Sequence, residues 1–453
     1  MDKYEDLKNL HYEDFAAPNK VLCYGGGGAF EGVAKYMFKC GINIKGIIDA
    51  NKTGIKEYNS YKIPYYNIEQ AESKFGHDII LIITIANEDV IEQVRADLIR
   101  LGFNADKIYD MNVWTWLMVP SEKSYCRNIG GYFQFFQSAL SNCCNNGAVI
   151  PYLSEWFIEK RDIKNSVHNY LEKRAFYIEQ SDHKMIPAYC SNCPFLTENN
   201  NDKCDRIEKY IISDHAVCNA DCVYCGDSCS EHKPTQVHSL KERYTAIIES
   251  LDYMNKKDLI DKSAVFQLAG GEITINPQKM ALYEAVRKYP ELSMEFLSNC
   301  FIYDEELAKL LKSHKNSFLQ CDLDAGTPET YIKVKGFNKY ETVKNNLNEY
   351  SKYGEVRLKY VVLPGFNDSE EDYDGAVCLL KELNLNTIAL SPEFNVGLYG
   401  NKTQKREMLF SAARFIVKLT NAGIQYSLSE VFWKKSDIDI LNRVSHELMQ
   451  LTL

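Results

Sequence analysis

Short apolar runs of strand length alternate with stretches of helical periodicity along much of this 453-residue chain, and that alternation constrains its fold more than any other feature. Near the start, "NKVLCYGGGG" (19–28) is a short apolar strand running into a glycine loop, and "AFEGVAKYMFKCG" (29–41) has helical spacing and stops at Gly41. "INIKGIID" (42–49) is a second strand, ending in Asp49. "HDIILIITIA" (77–86) is a continuous aliphatic run and reads as a buried strand, while "EDVIEQVRADLIRLG" (88–102) is an amphipathic helix closing at Gly102. Strands that alternate with helices in this way build a parallel sheet covered on both faces. The same alternation returns after residue 206. Between about 113 and 205, "GGYFQFFQSALSNCC" (130–144) and "SEWFIEKRDIKNSVHNYLEKRAFYIEQ" (154–180) carry apolar residues at helical spacing and predict a mostly helical connector.

Composition narrows the function classes. A formal net charge of -10 argues against general binding to nucleic acid or anionic lipid. The sequence has no secretory start and no run of eighteen apolar residues, so a soluble, cytoplasmic protein is expected. In that reducing compartment fifteen cysteines point to metal ligands or catalytic groups before disulfides. They are also unevenly placed: "HAVCNADCVYCGDSCS" (215–230) holds four of them within twelve positions.

The first region resembles a small Rossmann-like domain. In dinucleotide sites glycines let the backbone approach a pyrophosphate at a helix N-terminus, and an acidic residue about twenty positions on takes a ribose hydroxyl. Here Gly26, Gly28 and Gly32 stand in G-x-G-x-x-x-G spacing inside the run from Gly25, and Asp49 ends the second strand. Gly26, Gly28 and Asp49 are therefore candidate contacts for a nucleotide or nucleotide-linked sugar. The other reading is that the glycines only make a tight strand-to-helix turn.

The connector ends in "YCSNCPFLTENNNDKC" (189–204), where Cys190 and Cys193 form a C-x-x-C and Cys204 follows an Asn-rich turn. Thiolates so spaced can face one metal site, which makes these three candidate ligands of an auxiliary 4Fe-4S cluster or of zinc. A fourth ligand would come from Cys126, Cys143, Cys144 or Cys229, and a site without metal is the remaining reading.

"EKYIISDHAVCNADCVYC" (208–225) is a strand followed by a loop with Cys218, Cys222 and Cys225 in C-x3-C-x2-C order and Tyr224 before the last cysteine. This resembles the signature of the radical S-adenosylmethionine (SAM) family. The resemblance implies that the three thiolates hold a 4Fe-4S cluster whose fourth iron is open to the amino and carboxylate groups of SAM. It also implies that the reduced cluster breaks the bond from the sulfonium to the 5'-carbon, and that the resulting 5'-deoxyadenosyl radical takes a hydrogen atom from an unactivated C-H bond. The protein supplies position and exclusion of water, and an external one-electron donor such as flavodoxin or ferredoxin is implied. A zinc site completed by Cys229 or His215 is the alternative, and the downstream order of features weighs against it. "AVFQLAGGEIT" (264–274) ends a strand in Gly270, Gly271 and Glu272, similar to the family's GGE element, which meets the methionine amino group. "MEFLSNC" (294–300) ends in Ser298, Asn299 and Cys300, where family members have a strand end near the cofactor. "FLQCDLDAGTPETYIKVKG" (318–336) resembles the fourth strand, with Asp322 and, by period-two alternation, Asp324 on one face. "VRLKYVVLPGFND" (356–368), with Lys359 pointing inward, and "TIALSPEF" (387–394) resemble the fifth and sixth.

The expected fold is thus α/β: a partial (β/α)6 TIM-like barrel over 206–395 with its active site at the C-terminal strand ends. A Rossmann-like parallel-sheet domain (1–112) and a helical, cysteine-containing connector (113–205) precede it, and a helix-strand-helix cap (396–453), in which Trp433 packs, follows. Cys204 falls before the first barrel strand and Cys218 after it, and a strand of about six residues spans roughly 20 Å. A cluster on Cys204 is therefore expected near the opposite end of the barrel from SAM, with Cys126, Cys143 and Cys144 better placed than Cys229 to complete it.

If it faces the cavity, Cys300 is a candidate hydrogen-atom donor for a redox-neutral epimerisation, and Cys321 is a weaker one because alternation turns it away from Asp322; the other reading of each is a small buried residue. An auxiliary cluster accepting the electron would favour dehydrogenation instead. Domains resembling the first region are attached to enzymes of surface-sugar biosynthesis, so a sugar or nucleotide-linked sugar is the expected substrate. Maturation of a ribosomal peptide is the alternative within enzymes, and an iron-sulfur sensor or binding module without turnover is the alternative outside them.

Overall fold

The computed structural model describes residues 6–16, 21–58, 60–136, 138–141, 153–191, 193, 195–202, 204–214, 217–225, 237–393, 396–397, 400–428 and 433–452. Cys143, Cys144, His215 and Cys229 lie outside them. Six strands of the first region form one sheet: Val21–Tyr24 (β1), Ile44–Ile48 (β2), Ile55–Tyr58 (β3), Tyr61–Tyr66 (β4), Ile80–Ile83 (β5) and Ile108–Asp110 (β6). Their order is β3-β4-β2-β1-β5-β6, parallel throughout except for the β3–β4 hairpin. The interior strand β5 is buried at every residue, which suits an aliphatic strand with helices on both faces. Helix Gly28–Lys39 buries Val33, Ala34 and Met37, and helix Glu88–Arg100 buries Ile91, Val94 and Leu98. Strand addition reverses between β1 and β5, the place where open α/β sheets bind ligands.

The connector corrects the sequence reading. Its strands are Met118–Pro120 (β7), Tyr132–Phe136 (β8), Ala139–Ser141 (β9), Leu153–Trp156 (β10) and Met185–Pro187 (β11), and only Ile163–Asp182 is a long helix. The stretch read as a helix at 130–144 supplies β8 and β9 instead. Phe133, Gln134 and Phe135 are all buried, so β8 lacks the alternation that marks a half-exposed strand, and a short apolar run of this kind fits either period. β8 pairs in parallel with the first barrel strand, Ile207–Ser213 (β12).

From β12 the sheet continues through Ile260–Ala269 (β13), Ser293–Leu297 (β14), Phe318–Asp322 (β15), Glu355–Val362 (β16), Thr387–Pro392 (β17) and Gln425–Leu428 (β18). The order is β10-β9-β8-β12-β13-β14-β15-β16-β17-β18. The six expected barrel strands, β12 to β17, are parallel neighbours, and β8 and β18 extend the parallel run on either side. No pairing among the described residues joins the two edges of this sheet. The cap is helix Lys402–Asn421, β18 and helix Lys435–Thr452, and Trp433 is buried with its indole N-H donating to the Leu390 carbonyl at 2.8 Å. Among the described residues no helix is long and apolar enough to cross a membrane.

Candidate active site

The C-terminal ends of β12 to β15 converge on a cavity of about 190 Å³. Cys218, Cys222, Tyr224, Cys225, Gly270, Gly271, Ser298, Asn299 and Asp322 line it, joined by Gln320 and Lys335. The loop after β12 is fixed in two ways. The Asp221 and Val223 N-H groups donate to the carbonyls of Lys335 and Val334 at 3.1 and 3.0 Å, and the Cys225 N-H donates to the Cys222 carbonyl at 3.0 Å. The loop packs so closely on the end of helix Pro328–Lys335 that a Cβ on Gly336 would lie 2.9 Å from that of Asp221. Gly336, at φ 80°, is the left-handed C-cap of that helix. Burial pushes the Cys222 thiol up to about 11 against the pull of the Lys335 ammonium, and burial raises Cys218 as well.

Gly270 and Gly271 have φ of 79° and 62°, a backbone only glycine adopts without strain, and they bring main chain to the cavity wall without side chains. Among the described residues no three His, Cys, Asp or Glu side chains close on a single metal ion. A 4Fe-4S cluster does not ask that of them, because each thiolate takes a different iron. Three thiols on one loop, opening onto a bare-backbone wall, fit such a cluster with a ligand on its open iron.

Residues 212–377 match the family model of the Radical SAM superfamily. This is a radical SAM domain. Members of that superfamily are enzymes that work with a 4Fe-4S cluster and SAM. A GTP 3',8-cyclase of Trichodesmium erythraeum is 24% identical over 172 residues, 34% of this chain and 52% of that protein. A GTP 3',8-cyclase of Nostoc punctiforme is 27% identical over 146 residues, 30% of this chain and 43% of that one. The chain thus spans about half the length of the curated relatives it matches. Among solved structures, SuiB of Streptococcus suis bound to S-adenosylmethionine aligns with a TM-score of 0.38 and 11% identity, over 69% of this chain and 73% of that one.

Within the radical SAM domain, Glu272 stands differently from expectation. Its carboxylate is buried and accepts from the Thr274 N-H (3.0 Å) and hydroxyl (2.7 Å), the Ser298 hydroxyl (3.0 Å) and the Asn299 N-H (2.7 Å). Its own N-H donates to the Val217 carbonyl at 2.7 Å, next to Cys218. Burial raises its pKa, opposed by these donors. Glu272 therefore ties the ends of β13 and β14 to the cysteine loop and leaves the cavity wall to Gly270 and Gly271. Glu272→Gln keeps the shape but turns an amide toward groups that donate, and should cost about 1–3 kcal/mol of stability. Urea unfolding at pH 7 measures it, and an unchanged midpoint would remove this tying role.

Asp322 lies at the cavity wall, 2.9 Å from Lys359 Nζ on the next strand, and accepts from Gln320 at 3.2 Å. Burial would raise its pKa, but Lys359 and Lys335 outweigh it and hold the carboxyl below its usual value. Asp324 does not share this position. The strand ends at Asp322, and Asp324 turns into a left-handed conformation (φ 57°), so the alternation that grouped the two stops short of it. Asp324 is fully buried beneath Lys335, outside the cavity lining. It accepts from the Tyr224 hydroxyl at 2.5 Å and the Val361 N-H at 2.6 Å, and it pairs with the Lys335 ammonium. Lys335 also donates to the Tyr224 hydroxyl at 2.7 Å. Sequence reasoning missed Lys335, which reads as an ordinary cation at a helix C-terminus.

Cys300 is likewise not brought to the cavity. It is buried at φ 57°, with its thiol directed to the Ser298 carbonyl at 3.7 Å, and Cys321 is buried with its thiol 3.8 Å from the Asn299 carbonyl. Neither lines the cavity, and both stand as small buried residues, the alternative to the hydrogen-donor reading. In the Rossmann-like domain, Gly26 donates its N-H to Asp49 Oδ2 at 3.2 Å, and Asp49 Oδ1 accepts from Asn51 N-H at 3.0 Å. A Cβ on Gly26 would lie 2.6 Å from the Tyr65 ring, and Gly28 begins the following helix. In this arrangement Asp49 closes the glycine turn on itself. Cys190, Cys193 and Cys204 all precede β12, away from the cavity end.

Proposed function

We propose that the chain cleaves SAM reductively in the 190 Å³ cavity and uses it to take a hydrogen atom from a sugar or nucleotide-linked sugar. The observation that carries this is the shared lining: three cysteines, a bare glycine wall and charged Asp322 and Lys335 around one space. A 4Fe-4S cluster with SAM, when bound, supplies one-electron cleavage of the sulfonium and the hydrogen-atom abstraction. Cys218, Cys222 and Cys225 would hold that cluster. Gly270 and Gly271 let the methionine part approach main chain, and Asn299, whose side chain donates to Asn219 at 2.7 Å, steadies the loop beside Cys218. Across the cavity, Lys335 and the Asp322–Lys359 pair offer donors and acceptors suited to hydroxyl and phosphate groups. The attached Rossmann-like sheet and the nucleotide in the curated relatives' names support a nucleotide-bearing substrate.

The test is anaerobic incubation of the iron-loaded full chain with dithionite and SAM, reading 5'-deoxyadenosine and methionine, followed by nucleotide sugars deuterated on the ring. Wild type should form 5'-deoxyadenosine and Cys222→Ala only background, with deuterium passing from a sugar into the product. No cleavage by the iron-loaded chain would favour a sensor without turnover. Cleavage with no deuterium transfer from any nucleotide sugar would remove the substrate class alone.

A further inference from the structure

We propose that Cys126, Cys190, Cys193 and Cys204 together hold a second 4Fe-4S cluster, at the end of the sheet remote from the SAM cavity. This does not depend on the substrate reading above. Cys126 immediately precedes helix Arg127–Gly131, and Cys204 lies against the last turn of that helix. A Cβ on Gly130 would fall 2.1 Å from the Cys204 carbonyl oxygen, and one on Gly131 would fall 3.3 Å from Cys204 Sγ. The paired glycines let the segment at Cys204 come that close. Cys126 and Cys204 line one small cavity of about 20 Å³, walled by Ile129, Met185 and Pro187.

Two further contacts fasten the arrangement. The buried Arg174 guanidinium donates to the Gly130 carbonyl at 2.7 Å, the Cys204 carbonyl at 3.3 Å and the Asp205 carbonyl at 2.7 Å, so it clamps both segments at once. On the other side, Tyr125 and Thr197 exchange both backbone hydrogen bonds, at 3.1 and 3.0 Å, and bring the segment after the C-x-x-C alongside Cys126. The Cys193 N-H donates to the Cys190 carbonyl at 2.8 Å, closing the C-x-x-C into one turn. Cys190 is buried in the hydrophobic core against which Cys126 and Cys193 both pack.

Cys126 and Cys204 share one cavity wall and the Tyr125–Thr197 pairing carries the C-x-x-C segment alongside it, so four cysteines from three separated segments match in number and placement the four-cysteine ligation of a 4Fe-4S cluster. Among the described residues no three His, Cys, Asp or Glu side chains close on one ion here either. β12 separates the two sites, and its seven residues at about 3.3 Å each span roughly 23 Å. A cluster at this end cannot touch a substrate bound beside SAM.

The experiment counts metal in the full chain after anaerobic reconstitution and requires no turnover, so it fails or succeeds apart from the SAM reading. Wild type should carry about eight irons, and the Cys218→Ala/Cys222→Ala/Cys225→Ala variant should keep about four irons with about four sulfides. On that background Cys126→Ala should lose iron or alter the electron paramagnetic resonance signal of the reduced protein, while Cys378→Ala at an exposed site should not. A wild-type count of about four irons, a triple variant without iron, or one holding zinc in place of iron overturns the proposal. So does a Cys126→Ala variant indistinguishable from Cys378→Ala, or loss of iron seen only when Cys143 and Cys144 are changed. The wild-type count stands even if a variant fails to fold.

Discussion

Replacing Arg243 with Met is expected to cost about 3–5 kcal/mol of stability and to lower iron loading at the SAM site, because it removes the charge that matches a buried carboxylate. Arg243 Nε and Nη2 meet the two oxygens of Asp214 at 2.9 and 3.1 Å, Nη1 donates to the His238 carbonyl at 2.6 Å, and both side chains of the pair have zero exposure. Asp214 directly follows β12, and Arg243 sits in the first turn of helix Leu240–Lys256, which starts from a capping box between Ser239 and Glu242. The pair therefore joins the two stems of the segment that carries Cys218, Cys222 and Cys225. Arg243→Lys keeps the charge but loses the two-pronged fit and should fall between wild type and Met. Asp214→Leu/Arg243→Met removes both charges and should recover most of the stability. Urea unfolding and iron per chain measure all three. If Arg243→Met matches the double variant in both readings, the pair does not act as a charge-matched brace.

The elements that hold the cavity were legible in the sequence because each is signalled locally. The C-x3-C-x2-C loop, the two glycines after β13 and Asn299 after β14 all sit at strand ends, where a period-two run stops at a turn signal. The alternation of strands and helices likewise carried the six barrel strands. What escaped is long-range or lies where a local rule ends. β8 was read as a helix because its Tyr-Phe-Gln-Phe-Phe run is buried on both faces and has no alternation to betray a strand. Asp324 was grouped with Asp322 by extending alternation two residues past the strand, across a left-handed residue. The strand-end position of Cys300 leaves open whether it faces the cavity or the core, and its left-handed backbone, invisible in sequence, accompanies burial in the core. Asp214–Arg243 and Asp324–Lys335 carry no local signature, since a buried ion pair between segments looks in sequence like two surface charges.

Lys335→Met should be nearly as costly as the loss of Arg243, about 3–5 kcal/mol at neutral pH, and a double variant identifies the cause. The Lys335 and Asp324 side chains are 2% and 0% exposed. The ammonium is held charged: burial lowers its pKa, but Asp324, Cys222 and Asp322 together raise it above the ordinary lysine value. Without it the buried Asp324 keeps only the Tyr224 hydroxyl and the Val361 N-H. Asp324→Asn/Lys335→Met removes both charges and should recover most of the loss in urea unfolding at pH 7. Equal losses for the single and double variants would show that the lysine acts through packing of its stem and not through its charge. Because the carbonyls of Val334 and Lys335 still anchor Val223 and Asp221 in either variant, the double variant should retain its cluster iron. It would do so while presenting SAM with a cavity stripped of its buried cation, which separates the charge of Lys335 from its place in the loop.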